Sequence, residues 1–140
     1  MSRKVESKIR VLIIEPSQEP REEMIENTLE AMQEIVGGYI EHVEWLQDNT
    51  VDLFVNEDGI SEHLPPNQAL YNENGECYSI LFGNMFVCGY DNNGNSISLT
   101  DEQLNIAKEY FSPKMYIKAN EETILEFNLR NREVHNIKFI

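Results

Sequence analysis

Residues 77–90, CYSILFGNMFVCGY, form a long apolar stretch that is interrupted once, at Gly83 and Asn84. The aromatic and β-branched side chains on either side are typical of β-strands, whereas glycine and asparagine are depleted there. Two arrangements fit this pattern. Either a single strand carries a bulge at Gly83, or the two residues separate two short strands.

The segments outward from this stretch show the alternation or the short apolar runs that predict further strands. Toward the N-terminus they are residues 8–16 (KIRVLIIEP), 39–47 (YIEHVEWLQ) and 50–59 (TVDLFVNEDG). Toward the C-terminus they are residues 115–119 (MYIKA) and 122–140, in which NLRNRE predicts a hairpin turn.

Two segments have helical periodicity. Residues 20–38, PREEMIENTLEAMQEIVGG, carry an apolar stripe that we expect to face a sheet, with glutamates off the stripe and two glycines as a stop signal. The stripe consists of Met24, Ile25, Thr28, Leu29, Met32, Ile35 and Val36, and we expect Ile25, Leu29, Met32 and Val36 to face the sheet. In residues 99–113, LTDEQLNIAKEYFSP, a threonine and a glutamine have the spacing of a capping box before an apolar face.

These elements follow one another in the order β-α-ββ-ββ-α-βββ. We therefore predict an α+β fold, a mainly antiparallel sheet packed by two helices. With 140 residues, the chain is expected to form a single compact domain, residues 1–140, with a C-terminal β-hairpin extension at residues 115–140.

The charge distribution argues against one class of partner. The formal net charge is −14, and residues 22–107 contain no lysine or arginine. Such a surface repels nucleic acid, because binding to nucleic acid rests on neutralising phosphates, and we expect no direct contact with it. Two interpretations of the acidity stay open: a coat that favours solubility, or a surface that competes for a basic groove.

The sequence also predicts a cytoplasmic location with no membrane contact. Its apolar runs are far too short to span a membrane, and residues 1–10 (MSRKVESKIR) lack the apolar core of a signal peptide. Cys77 and Cys88 are then expected to be reduced thiols. The sequence does not decide between a monomer and a homo-oligomer.

No recognisable catalytic or metal-binding motif is present. His42, His63 and His135 lie far apart, and no histidine or cysteine pair has the spacing of a metal site. Nucleotide-binding glycine motifs and nucleophile elbows are also absent from the sequence. We therefore expect no enzyme activity, no metal and no cofactor.

The segment VNEDGISEHLPPNQAL, residues 55–70, is the candidate binding loop. Its two prolines stiffen the chain, and the amides that follow them match the hydrogen-bonding edges of a base or a ribose. The alternative is that the prolines only turn a corner and that the aromatic rings belong to the core. The candidate ligand-binding residues are the loop, rings for stacking and arginines for phosphates: His63, Pro65, Pro66, Asn67, Gln68, Trp45, Tyr71, Arg130 and Arg132.

Four segments read together resemble a known family. They are IRVLIIEPSQEP (9–20), IENTLEAMQEIVGGYIE (25–41), VNEDGISEHLPPNQAL (55–70) and FGNMFVCGYDNNGNSISLTDEQ (82–103). Over residues 8–111 the chain resembles small proteins with a domain of unknown function that are carried by phages and other mobile elements. In that family the loop reads LPPNR, and Gln68 stands here in place of the arginine. The resemblance implies a genetic context, namely short accessory genes that often disarm host defence. It does not imply any particular activity, because none is established for the family.

Two hypotheses of function follow. The first is a non-enzymatic phage or mobile-element accessory protein that antagonises host defence by sequestering a small, nucleotide-derived signalling molecule. The alternative is an acidic protein-binding inhibitor, a nucleic-acid mimic that blocks a basic groove of a host defence protein. Its acidic ridge would lie on the first predicted helix, at Glu22, Glu23, Glu26, Glu30 and Glu34. Salt separates the two, because a mimic loses affinity steeply as ionic strength rises.

Overall fold

The computed structural model describes residues 6–140, which form eleven β-strands and two α-helices. The strands are β1 (Lys8–Ile14), β2 (Arg21–Glu26), β3 (Ile40–Val43), β4 (Val51–Asn56), β5 (Pro66–Tyr71), β6 (Cys77–Phe82), β7 (Met85–Tyr90), β8 (Ser96–Ile97), β9 (Lys114–Lys118), β10 (Ile124–Asn128) and β11 (Val134–Asn136). The helices are α1 (Leu29–Val36) and α2 (Asp101–Tyr110). Within residues 6–140, strands account for 42% of the residues and helices for 13%. The fold is therefore β-rich with antiparallel sheets, and our prediction of an α+β fold with two helices packed on a sheet is wrong.

The error arises chiefly in the segment that was predicted as the start of the first helix. Residues 21–26 form the edge strand β2, which pairs antiparallel with β1 and sets Ile25 opposite Ile9. Across the same pair of strands, Lys8 and Glu26 form an ion pair of 3.6 Å. Backbone and side-chain pairing with a distant strand is invisible to local periodicity, and here it overrides the helical pattern.

Helix α1 is consequently short. It begins after Thr28, whose hydroxyl accepts a hydrogen bond of 3.1 Å from the Ala31 N–H, and it ends at Gly37 in the left-handed region. Met32 and Val36 are buried as predicted, but Leu29 is 54% exposed. The prediction that Leu29 is buried is wrong, because it is the first residue of the helix and only the later turn packs on the sheet.

A six-stranded antiparallel sheet forms the centre of the fold. Its order is β2-β1-β7-β4-β3, and β8 pairs with β7. Both faces of β1 are covered: Ile9, Val11 and Ile13 pack in the cluster that contains α1, while Leu12 and Ile14 pack in the cluster that contains α2. A strand buried on both faces needs a continuous apolar run, which explains the sequence KIRVLII.

Gly83 settles the alternatives for residues 77–90. It has a φ of 81°, and a Cβ atom added to it would lie 2.6 Å from Cδ1 of Leu64. Only glycine fits such a position without strain. The glycine ends β6, which pairs with β5 in a two-stranded sheet, and precedes β7 in the central sheet. The interruption therefore separates two short strands, as one of the two predicted arrangements required.

Helix α2 confirms the predicted capping box. The Thr100 hydroxyl accepts from the Gln103 N–H at 3.1 Å, and the Gln103 side chain accepts from the Thr100 N–H at 2.9 Å. Leu104, Ala107 and Phe111 are buried in the larger core cluster. Within residues 6–140, neither helix has the length and hydrophobicity needed to cross a membrane.

The C-terminal segment forms a separate antiparallel sheet of three strands, in the order β11-β10-β9. This sheet begins at Lys114, and the turn between β10 and β11 lies in the segment NLRNRE, residues 128–133. It docks on the two-stranded sheet through a small cluster that includes Ala69, Cys77 and Ile137.

Cys77 and Cys88 are buried free thiols, and burial raises the pKa of Cys88 to about 12.

Candidate functional site

The candidate binding loop is ordered by its own hydrogen bonds. After β4, the Asn56 side chain accepts from the Asp58 N–H at 2.7 Å, and the Leu64 N–H donates to the Gly59 carbonyl at 3.0 Å. His63 is exposed, with a left-handed φ of 56°. Pro65 is exposed, and Pro66 is the first residue of β5, a position where the missing N–H is tolerated.

Both amides that follow the prolines are buried, and each hydrogen-bonds to other parts of the chain. The Asn67 side-chain N–H₂ group donates to the carbonyls of Ile14 at 2.8 Å and Gly83 at 2.7 Å. The Gln68 side-chain N–H₂ group donates to the Ser112 carbonyl at 2.9 Å. In this structure the two amides therefore join β5 to its neighbours in the fold.

Gln68 also contacts a buried lysine. The Lys114 ammonium donates to the Gln68 side-chain oxygen at 2.8 Å and to the carbonyls of Tyr110 and Ser112, each at 3.1 Å. All three acceptors are neutral oxygens, so the charge is held by hydrogen bonds and not by a contacting carboxylate. Burial lowers the pKa of Lys114 to about 8.

A second polar group lies between β5 and the C-terminal sheet. The Tyr116 hydroxyl donates to the buried Glu126 carboxylate at 2.6 Å and accepts from the Ala69 N–H at 2.7 Å. The other Glu126 oxygen is 3.6 Å from Nε2 of His135, and that nitrogen is 3.2 Å from the Tyr71 hydroxyl. Burial, and then the charge of Glu126, raises the pKa of Tyr71.

We call these residues (Gln68, Tyr71, Lys114, Tyr116, Glu126 and His135) the polar junction. Sequence reasoning found Gln68 and Tyr71 but missed the others. Glu126 carried a usable signal, since it is a carboxylate at an inward position of the apolar strand ILEFN. A buried amine with a low pKa and a buried carboxylate are common in active sites. Here their partners are backbone and side-chain groups of the chain, so the junction joins the sheets.

The remaining predicted residues lie in other parts of the fold. Trp45 is buried and packs against Tyr110 and Phe111, with ring centroids 5.2 Å and 4.8 Å away. Arg130 pairs with Glu19 at 2.6 Å, and Arg132 is exposed in the turn between β10 and β11. The nine predicted residues therefore do not surround one common cleft.

Two clefts adjoin the candidate loop. The first, which we call the acidic groove, has a volume of about 390 Å³ between the central sheet and β6, and its charged residues are Glu41, Glu57 and Asp58. The second, about 720 Å³ in volume, is lined by Pro65 together with Glu15 and Glu34. Neither cleft is lined by a lysine or an arginine. A ligand in either cleft would meet negative charge.

Within residues 6–140, five of the nine lysines and arginines are paired with carboxylates. Arg10 pairs with Asp101 at 2.8 Å and with Glu22 at 3.5 Å. Similar ion pairs hold other cations, Lys8 with Glu26, Arg21 with Glu15 and Glu23, Lys108 with Glu22, and Arg130 with Glu19. The predicted acidic ridge is therefore split, because its first three glutamates lie on β2 and are paired with cations, whereas Glu30 and Glu34 lie exposed on α1.

No group of three or more histidine, cysteine, aspartate or glutamate side chains within residues 6–140 has the arrangement of a metal site.

Comparison with curated proteins and with solved structures gives no significant match. One family model does match, over residues 9–112, and it is described as a domain of unknown function, DUF3846. The match covers the central sheet, both helices and the candidate loop, and ends just before the C-terminal sheet. The chain therefore belongs to the DUF3846 family.

Proposed function

We propose that the protein is a non-enzymatic binding protein that recognises a positively charged surface of another protein. The observation that supports this proposal is the charge of its concave surfaces. Glu41, Glu57 and Asp58 line the acidic groove, no basic residue lines either cleft beside the loop, and most cations of the fold are already paired with carboxylates. A basic groove that normally holds nucleic acid would be attracted to such a surface.

Sequestration of a nucleotide-derived signal has less support. It needs cations for the phosphates and free amides for the base beside one cleft. Arg130 is held by Glu19, Arg132 lines neither cleft, and the amide N–H₂ groups of Asn67 and Gln68 donate inside the fold. A phosphate in the cleft beside Pro65 would meet Glu15 and Glu34. We therefore favour the protein-binding alternative. The phage-like motifs lead us to propose further that the protein is encoded by a mobile element and that its partner belongs to host defence.

The test uses a heparin-binding fraction of host-cell extract, which is enriched in proteins with basic grooves. The immobilised protein is expected to retain one or a few of these proteins at 50 mM NaCl and to release them by about 300 mM, because exposed charges are screened as ionic strength rises. Double-stranded DNA is expected to compete with the immobilised protein for the same partner.

The comparison is a variant with the same fold and five fewer negative charges. It carries the substitutions Glu30→Gln, Glu34→Gln, Glu41→Gln, Glu57→Gln and Asp58→Asn. All five side chains are exposed, so the melting temperature should stay near that of the wild type. Retention should fall strongly in this variant. If the same proteins are retained equally by the variant, or if retention is insensitive to salt, the proposal is wrong.

A further inference from the structure

The acidic groove is apolar along its floor. In the antiparallel pair of β3 and β4, Glu41 lies opposite Val55 and Val43 opposite Leu53, so all four side chains share one face of the central sheet. Val55 and Leu53 belong to the larger core cluster, and Val43 packs against it half-buried. Val55 in the floor is buried, so Val43 is the partly uncovered margin of the core, with Glu41 beside it.

Strand β6 forms one wall of the groove through residues 79–82. One edge of β6 pairs with β5. The Ala69 N–H, however, points away from β6 and donates to the Tyr116 hydroxyl at 2.7 Å. Ala69 lies opposite Ile80, and in an antiparallel ladder the two members of such a pair turn their backbone groups to opposite outer edges. The N–H and C=O groups of Ile80 therefore point to the edge of β6 that β5 does not occupy.

Beyond a register shift between Leu70 and Tyr71, which skips Tyr78, this edge of β6 already accepts an added strand segment. At Cys77 the chain's own C-terminal residues pair with β6 in parallel, with the Cys77 N–H donating to the Lys138 carbonyl at 2.6 Å and the Ile140 N–H donating to the Cys77 carbonyl at 3.2 Å. The groove begins two residues further along β6. The backbone of this edge thus has the geometry that strand addition needs, up to the acidic groove.

The outer rim of the groove combines one exposed apolar side chain with two carboxylates. Ile60 is 72% exposed, and Glu57 and Asp58 are exposed beside it. We propose that the acidic groove binds an extended segment of a partner protein in which lysine or arginine alternates with apolar residues. The segment pairs with β6 at Ile80, places its apolar side chains on the half-buried Val43, and points its cations at Glu57 and Asp58 on the rim. Glu41 adds negative charge beside Val43. This inference rests on the proposed function and names the part of the partner that is recognised.

The test uses a fluorescein-labelled peptide of eight residues, with lysine and valine alternating, whose binding is followed by fluorescence anisotropy. Two further peptides of the same sequence carry N-methyl groups, one on every valine and the other on every lysine. A strand added at one edge presents only alternate N–H groups to β6, so one of the two methylated peptides should bind at least tenfold more weakly and the other nearly as well as the parent. If both bind like the parent, or if the parent does not bind, the groove proposal is wrong.

Two protein variants with matched charge locate the site. Glu41→Gln with Glu57→Gln and Asp58→Asn should weaken binding of the parent peptide about tenfold, since two exposed ion pairs and a third negative charge beside them are lost. Glu121→Gln, Glu122→Gln and Glu133→Gln remove the same charge from exposed turns of the C-terminal sheet and should change the affinity less than twofold. Equal losses in the two variants would show attraction to overall charge and would overturn the proposed site.

Sedimentation of the protein alone tests a second copy of the chain as the occupant. A dimer that the peptide dissociates would overturn the proposal of a partner segment, whereas a monomer at all concentrations supports it. The peptide experiment and the heparin-fraction experiment together distinguish a failure of this inference from a failure of the proposed function. If the peptide fails while the heparin-binding partners are still retained in a salt-dependent way, the groove is wrong but the acidic recognition surface stands.

Discussion

The side-chain oxygen of Gln68 lies 2.8 Å from the ammonium of Lys114, and both residues are buried. The amide beside the double proline therefore stabilises a charge inside the protein. The contact joins the candidate loop to the first residue of the C-terminal sheet. It indicates that substitutions in this loop will act first on stability, and any effect on binding has to be judged against that.

Replacing Asn67 or Gln68 with alanine is expected to destabilise the fold. Asn67→Ala leaves the buried carbonyls of Ile14 and Gly83 without their donors, and Gln68→Ala leaves the Lys114 ammonium with one acceptor fewer. A loss of about 1–3 kcal/mol in the free energy of unfolding is expected for each. Urea denaturation measures the loss. Asn105→Ala, at an exposed helical position, is the control and should change stability by less than about 0.5 kcal/mol.

Stability should rise with pH between 8 and 9. Burial lowers the pKa of Lys114 from 10.5 to about 8, so in this range the unfolded chain binds a proton that the folded chain has released. The Lys114 contribution to the free energy of unfolding then increases with pH, by about 1 kcal/mol over this unit, and the raised pKa values of Cys77 and Cys88 offset part of it. Denaturation midpoints of the wild type and of Lys114→Met at pH 7.5, 8, 8.5 and 9 isolate this contribution. The stability of the wild type relative to that of Lys114→Met should grow with pH, and a difference that stays constant from pH 8 to 9 would contradict the prediction.

Above pH 9 the direction should reverse. Burial raises the pKa of Cys88 from 9.0 to about 12 and also raises the pKa of Tyr71, Tyr110 and Tyr116. The folded chain therefore keeps protons that the unfolded chain loses, and stability falls as pH increases. The tyrosinate absorbance of Tyr71, Tyr110 and Tyr116 should appear together with unfolding. Titration of these tyrosines near pH 10 in a chain that stays folded would show that they are not buried in solution.

The two tyrosines of the polar junction should differ in their contribution to stability. Tyr116→Phe removes the partner of the buried Glu126 carboxylate and of the Ala69 N–H, and we expect a loss of about 2–3 kcal/mol. Tyr71→Phe removes a hydroxyl whose partner, His135, is exposed, and a loss below about 1 kcal/mol is expected. The melting temperatures of the two variants at pH 7 show which substitution destabilises the fold more. Equal losses would contradict the prediction and would indicate that water replaces the hydrogen bonds of the Tyr116 hydroxyl.

Gly83→Ala should be more destabilising than Gly75→Ala. Both glycines have a positive φ, 81° and 78°, so each substitution carries about 1–2 kcal/mol of backbone strain. At Gly83 the new Cβ would also meet Leu64, whereas no atom lies within 4 Å at Gly75. The difference between the two, about 1 kcal/mol or more, reports the overlap alone. Equal losses would indicate that the Leu64 side chain moves aside without cost.

Much of the candidate site could not be derived from local patterns. A proline pair followed by two amides is compatible with a ligand rim and with a buried connection, because the local sequence does not reveal which groups the amides will meet. The partners of Asn67 and Gln68 lie 53 and 44 residues away, at Ile14 and Ser112. Lys114 and Glu126 were missed for the same reason, since each acquires its role only when the C-terminal sheet docks on β5.

The amino-acid sequence by itself determined the features whose causes are local. These are the apolar strand of residues 8–14, the capping box of α2 and the acidic balance of the surface. Tertiary structure decided the features that depend on pairing at long range. It drew residues 21–26 into a strand beside β1 instead of a helix, and it turned the loop amides into the core. The physical reason is that hydrogen bonds and burial across sheets outweigh the small preferences that local sequence carries.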